Sequence, residues 1–251
     1  MIDLHSHLLP GVDDGSRSVG QTLTVLKEMA RHGITDICLT PHLLASEAVA
    51  GPPPAHEVAF RELVAVAPPI PRLHRGAEIM MDDAIPAGVA EGRKVTLAGT
   101  RYLLVEFPRS VSFQTTNQAL SGVRDIGLRP VVAHPERYAC CSVDVARQWR
   151  ALGACIQVDA TTLLGLRTRG VRARELVSEG LADILASDNH GDGKMVSSIF
   201  EVLTERGGET QAGLLMRQNP GRILQDTDLI PVPPLPMRES WWERMRGKFE
   251  R

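Results

Sequence analysis

Aromatic side chains make up only 4% of the chain. That is too few for the stacking platforms that hold single-stranded nucleic acid. An excess of one charge is also lacking: 28 basic side chains against 30 acidic ones give a net charge of −2. A nucleic-acid grip driven by bulk positive charge is thereby excluded. No apolar run approaches the ~18–20 residues that span a bilayer. Cysteine is sparse, and Cys38, Cys140, Cys141 and Cys155 form neither a CxxC pair nor a disulfide scaffold. They read as free thiols of a reducing compartment. The first candidate strand begins directly after Met1 and leaves no room for a signal peptide, so a cytoplasmic protein is expected.

What is present is an ordinary globular composition: 251 residues, 43% hydrophobic and 23% charged. Such a chain buries roughly 70–75% of its unfolded surface and needs no staples. Seven short apolar runs punctuate it, at 2–7, 34–40, 72–78, 101–106, 129–134, 154–159 and 182–188. Some are continuously apolar, such as Pro130-Val131-Val132-Ala133, as strands buried on both faces should be. Helical spacing fills the intervals. Leu23, Leu26, Met29 and Ala30 mark one helix, and Leu120, Val123 and Ile126 another. Asp144 is expected to cap a helix over 145–152. Gly33, Gly127, Gly153 and Gly180 each follow a helical stretch, where the turn back requires positive φ. Helix, glycine, strand is the rhythm of βα units. Seven units predict a single α/β domain over 1–230, a closed or nearly closed parallel barrel, with an open doubly wound sheet as the alternative. Four prolines in 231–236 predict an extended linker that ends the domain. Beyond it, Trp241, Trp242, Met245 and Phe249 share one side of a short amphipathic helix within 239–251. That tail is expected either to dock on a kinase partner or an anionic membrane surface, or to pack on its own barrel or a neighbouring subunit.

The chemistry lies at the strand ends. The first run ends in His5-Ser6-His7, the second leads into His42, and the third, fourth and fifth end at Glu78, Glu106 and His134. The seventh ends at Asp188 and is followed by Asn189 and His190; Asp14 lies in the first loop. In a parallel barrel the carboxyl ends form one face, so these groups converge. A single His or Glu in such a place is usually satisfied or solvated. Six of seven strand ends together are not accounted for that way. His5 and His7, two apart on a strand, face the same side. Imidazoles and carboxylates crowded together are costly to desolvate, and cations remove that cost. A mixed nitrogen and oxygen set without cysteine suits Mn, Fe or Zn. Nine ligands are too many for one ion, so two or three ions sharing a bridging carboxylate are expected.

The blocks MIDLHSHLLPGVDDGS at 1–16, TPH at 40–42, GAEI at 76–79, LLVEFP at 103–108, AHPERY at 133–138 and SDNH at 187–190 carry a resemblance. In this order they are similar to the bacterial PHP (polymerase and histidinol phosphatase) superfamily, and within it to the capsule and exopolysaccharide protein-tyrosine phosphatases of the CpsB/YwqE type. The resemblance spans residues 1 to about 225. It implies a distorted, TIM-like (βα)7 barrel with three metals, usually manganese. It implies that His5, His7, Glu78 and Asp188 hold the first ion. Glu78, Glu106 and His134 would hold the second, with Glu78 bridging, and Asp14, His42 and His190 the third. Arg137 matches an arginine that binds substrate phosphate. Where the family has a second arginine after the final His, this chain has Lys194, a point charge without the bidentate fork. The implied substrate is the phosphotyrosine tail of a bacterial tyrosine kinase that controls polysaccharide polymerisation or export.

The residues themselves suit phosphomonoester hydrolysis. Clustered divalent ions make hydroxide available near pH 7 and stabilise the developing charge. Arg137 can clamp phosphoryl oxygens. A tyrosyl leaving group, with a pKa near 10, departs with little protonic help. In-line attack without a phosphoenzyme is therefore expected. Rival readings are a PHP phosphatase for a small ester such as histidinol phosphate, a nuclease of the same superfamily, and a metal-stabilised binding module without turnover. The spacing Cys141–Arg147 is the C-x5-R of cysteine-dependent phosphatases, but Val143, Asp144 and Val145 replace the glycine-rich phosphate cradle. Asp13 competes with Asp14 as a ligand. Asp3 and Asp159 are expected to be structural, and His32, His56 and His74 to lie on the surface or in loops.

Overall fold

Parallel strand pairing sets the architecture. The structure, a computed structural model, describes residues 1–237; the helix expected within 239–251 lies outside the described residues. The strands are β1 (Ile2–Asp3), β2 (Asp36–Leu39), β3 (His42–Leu44), β4 (Arg72–Arg75), β5 (Glu78–Met80), β6 (Tyr102–Glu106), β7 (Arg129–Ala133), β8 (Cys155–Asp159) and β9 (Ile184–Ala186). They form two parallel sheets, ordered β1-β2-β4 and β3-β5-β6-β7-β8-β9. Helices α1 (Val19–Arg31), α2 (Pro54–Val66), α3 (Gly88–Gly92), α4 (Phe113–Asp125), α5 (Val143–Ala151) and α6 (Thr168–Ser178) fall between them. The chain is thus α/β, as its alternating rhythm predicts.

The run expected at 72–78 is broken in two, and beyond the 34–40 run a further short strand, β3, appears. Pro41 has no N–H to give to a ladder and separates β2 from β3. Gly76 and Ala77 separate β4 from β5, and a Cβ on Gly76 would meet Cys38 Sγ at 2.9 Å. Register continues across both breaks: Leu39 pairs with Arg75, and His42 with Glu78. The first and last strand regions are also linked. Ser6 bridges Asn189 in parallel, His7 N–H donates to Asn189 O at 2.8 Å, and Asp188 N–H to His5 O at 3.1 Å.

Alternation divides the core. Leu103, Val105, Val132, Ile156 and Val158 pack in one large cluster, while Tyr102, Leu104, Val131, Ala133 and Cys155 pack in a second. The strands are therefore apolar on both faces, as buried parallel strands must be. Gly127 and Gly153, at φ +83° and +88°, make the turns from α4 into β7 and from α5 into β8.

Three expectations are corrected. Helix α5 begins two residues early because Ser142 caps it, its hydroxyl accepting from Val145 N–H at 3.2 Å. Asp144 lies in the first turn instead, where a carboxylate favours the positive end of the helix. His56 is buried within α2 rather than on a surface loop. The proline-rich segment does not leave the domain at residue 230. Val232 and Leu235 are buried in the main cluster, and Gln211 Nε2 donates to Pro233 O and Pro234 O. Prolines extend the backbone, and residues three apart then share a face, which lets this pair pack. Among the described residues no helix is long and apolar enough to cross a membrane.

Candidate metal centre

Parallel pairing sends every strand's carboxyl end to one side, and the nine expected ligands meet there. His7, Asp14, His42 and His190 form one group, and His5, Glu78 and His134 a second. His5, His7 and Asp188 form a third, and His42, Glu78 and Glu106 a fourth. Within each group one donor atom per residue lies within 4.8 Å of the others. His5, His7, His42 and Glu78 each belong to two groups, so the set is one continuous cluster rather than separate sites.

Local structure aims these side chains. His5 and His7 flank Ser6 on one extended segment and so face the same side. Gly15 lets the Asp13–Asp14 loop fold onto them, since a Cβ there would lie 1.9 Å from His7 O. His134 and Asp188 adopt left-handed backbone, at φ +31° and +48°. Such conformations cost about 1–3 kcal/mol each in non-glycine residues and concentrate at functional sites.

The imidazoles are oriented from behind. His5 Nδ1 lies 2.9 Å from Gln157 Oε1, His7 Nδ1 2.7 Å from Asp13 Oδ2, and His190 Nδ1 3.0 Å from Asp188 O. All three partners are acceptors, so each Nδ1 carries the hydrogen and each Nε2 presents a lone pair to the cluster. Sequence reasoning weighed Asp13 only as a rival ligand and missed Gln157. The signal for Gln157 was a polar residue inside an apolar strand, Cys155–Asp159. Asp14 Oδ1 is 3.5 Å from both His42 Nε2 and His190 Nε2, whereas Asp13 turns to His7 Nδ1, Gly15 N–H and His42 N–H.

The centre of the cluster is Glu78. Its Oε1 meets His134 Nε2 at 2.8 Å. Its Oε2 lies 3.1–3.3 Å from His42 Nδ1, His7 Nε2 and His5 Nε2, yet it is buried without a hydrogen bond of acceptable geometry. Glu106 Oε2 is likewise buried without a hydrogen bond among the described residues, with His42 Nδ1 3.8 Å away. The His5 and His7 Nε2 atoms approach to 3.2 Å. Two lone pairs facing each other beside an orphaned carboxylate oxygen repel unless a proton or a cation lies among them. The donor set therefore fits divalent cations.

The electrostatics agree. Burial disfavours a charged His5, but Glu78 and Asp188 outweigh it and raise its pKa to about 9. Burial, then the charge of Glu78, pushes Glu106 up to about 7. Asp188 is held far below the usual carboxylate range: burial opposes this, but His5, His7 and Arg137 prevail.

Arg137 joins the cluster through its Nη2, which donates to Asp159 Oδ2 at 2.9 Å and to Asp188 Oδ2. Lys194 sits in the loop after β9, with Nζ 3.7 Å from Asp192 Oδ2. Cys141 is buried, and burial followed by the charge of Glu136 pushes its thiol up to about 12. Arg147 pairs with Asp144 and Glu179. The C-x5-R spacing therefore holds no activated thiolate.

A parallel α/β fold with a candidate multi-metal centre at its strand ends defines the class of protein. The particular family follows from comparison. Residues 1–225 match the family described as capsular polysaccharide synthesis, CpsB/CapC, and the chain belongs to it. It is 26% identical to the tyrosine-protein phosphatase YwqE of Bacillus subtilis, over 95% of this chain and 97% of that protein. It is 28% identical to the tyrosine-protein phosphatase CpsB of Streptococcus pneumoniae, over 90% and 99%. A solved structure, described among crystal structures of YwqE and CpsB as metal-dependent tyrosine phosphatases, aligns with a TM-score of 0.79 at 26% identity. That match covers 95% of this chain and 100% of the other. The phosphotriesterase of Mycobacterium tuberculosis aligns with a TM-score of 0.58 at 11% identity, over 90% of this chain and 94% of its own, which speaks to fold alone.

Proposed function

We propose that this protein is a metal-dependent protein-tyrosine phosphatase. Its substrate on this reading is the phosphotyrosine tail of a cytoplasmic tyrosine kinase that governs capsular or exopolysaccharide synthesis. The observation that carries the reading is the convergence of nine imidazole and carboxylate side chains, three with fixed tautomers, in a member of this family. The strand segments are read as a distorted seven-unit barrel closed by the Ser6–Asn189 bridge.

On this reading the cluster holds two or three divalent ions, with manganese the working choice and Fe or Zn as alternatives. His5, His7, Glu78 and Asp188 take the first, Glu78, Glu106 and His134 the second, and Asp14, His42 and His190 the third. Bound ions would supply charge neutralisation and an attacking water of lowered pKa. The chain's own residues do the rest. Asp13 and Gln157 keep His7 and His5 in the tautomer that binds. Both of Arg137's contacts use Nη2, which leaves Nη1 and Nε for the oxygens of a phosphoryl group. Lys194, in the loop after β9, is the candidate for a second phosphate-binding cation. A tyrosyl oxygen leaves without a dedicated acid because its pKa is near 10.

Phosphate release from a phosphotyrosine peptide by chelator-stripped protein, with and without Mn²⁺, tests the reading. Release only with the metal is expected. Release without it would overturn the mechanism in favour of the thiol, and release from histidinol phosphate alone would overturn the substrate.

A further inference from the structure

The carboxyl-end face is electrically lopsided. Its loops after β3 and β5 carry Glu47, Asp82 and Asp83, all exposed, with Asp14 on the loop after β1. Its loop after β6 carries Arg109, and the N-cap and first turn of α6 carry Arg167 and Arg169, all exposed. Some other exposed arginines are paired, Arg75 with Glu57 and Arg147 with Glu179. Among the described residues Arg109, Arg167 and Arg169 make no ion pair.

Contacts bring these loops to Arg137. Ala139 N–H donates to Arg109 O at 2.7 Å, which lays the β6 loop against the 134–139 loop. Arg172 Nη1 donates to Tyr138 O at 2.8 Å and so holds α6 to the same loop. Arg174 Nη1 donates to Leu163 O and Gly165 O, fixing the turn that leads to Arg167. Leu164, Leu166 and Val171 stand exposed among the charges.

We infer that this basic, partly apolar strip receives the acidic flank of a phosphotyrosine peptide whose phosphate sits at the metal centre. The inference rests on the phosphatase reading and adds to it the charge pattern of the substrate. Guanidinium forks suit carboxylates, and leucine side chains cover the apolar parts of an extended chain. The acidic loops after β3 and β5 repel the same segment and so fix its direction across the face. An exposed ion pair is weak, about twofold in affinity, so three together give about a tenfold effect that salt screens.

The test compares phosphotyrosine peptides with acidic, neutral and basic flanks, using the full chain loaded with Mn²⁺. Each kcat/KM is divided by that for p-nitrophenyl phosphate on the same protein. The acidic peptide is expected to exceed the neutral one by about tenfold at low salt, and the gap to shrink at high salt. R109A/R167A/R169A should erase the preference, and R109E/R167E/R169E should turn it toward the basic peptide. Equal ratios in the wild type, or a preference that survives both triple variants, would overturn the inference. So would sedimentation with phosphatidylserine vesicles that needs the three arginines without any peptide preference, since the strip would then face a membrane. Failure to turn over any aryl phosphate would overturn the phosphatase reading itself, and this inference with it.

Discussion

Carboxylates lie at both the amino and the carboxyl ends of these strands, and they are neutralised by different means. At the amino ends, Asp36 accepts from Arg72 at 2.8 and 3.2 Å and meets His74 at 2.9 Å. Asp226 accepts from Arg93 at 3.0 Å, and Asp228 from Arg101 and Arg129 at 2.7 and 3.1 Å. Each of these carboxylates has a guanidinium of its own. At the carboxyl ends, Glu78, Glu106, Glu136, Asp159 and Asp188 stand beside one bonded guanidinium, Arg137. There Glu78 Oε2, Glu106 Oε2 and Glu136 Oε2 are buried without a hydrogen-bond partner. Chemistry of the same kind is thus closed at one end and open at the other. The open end is the one that needs charge from outside the chain.

The sharpest way to break this contrast is to remove the central charge. Glu78→Gln should lower phosphate release by about 10³-fold and deplete bound metal, read by activity and elemental analysis. Retained metal and activity would mean that the cluster needs no external charge. Asp13→Asn acts one layer out. It should weaken metal affinity about 10–100-fold by freeing the His7 tautomer, with activity regained in excess metal. A loss that excess metal does not repair would place Asp13 in the chemistry instead.

At the closed end the same kind of change should act on stability alone. Asp36→Asn should cost about 1–2 kcal/mol by urea denaturation while leaving metal content per chain intact. This cost carries a pH signature. Burial opposes ionisation of Asp36, but Arg72 and His74 prevail and hold its pKa below the ordinary value. A depressed folded-state pKa gives stability that is present above the unfolded value, about 3.9, and is lost as pH falls below it. The gap between wild type and Asp36→Asn should therefore narrow on acidification past about pH 4; a gap that widens would contradict the assignment. The smallest expected effect is at Cys141. Cys141→Ser should leave metal-dependent release unchanged, because a thiol pushed to about 12 is not a nucleophile at neutral pH.

How much was legible in the sequence differs between strands and loops. The nine clustered side chains could be read because strand ends are fixed by apolar runs, and parallel strands send those ends to one face. The end of β2 before Pro41 was legible because its apolar run stops at Thr40, whereas the short strand β3 beyond the proline was not expected. The split of β4 from β5 could not be read, because it depends on how closely Cys38 approaches Gly76 across the sheet. Ser142 and Asp144 are both competent caps, and only the position of the helix start decides between them. Asp13 and Gln157 were hard to see because a residue that orients a ligand differs from a bystander only in what lies behind it. The proline-rich segment was misread because composition gives extension but not what the extended chain leans on.

The most direct test of the account is the number of Mn²⁺ ions bound per chain after equilibrium dialysis, measured by mass spectrometry of the metal for wild type and Glu78→Gln side by side. The account predicts two or three ions for the wild type and fewer for the variant. A wild-type chain that binds none, or a variant that keeps the full count, would contradict it.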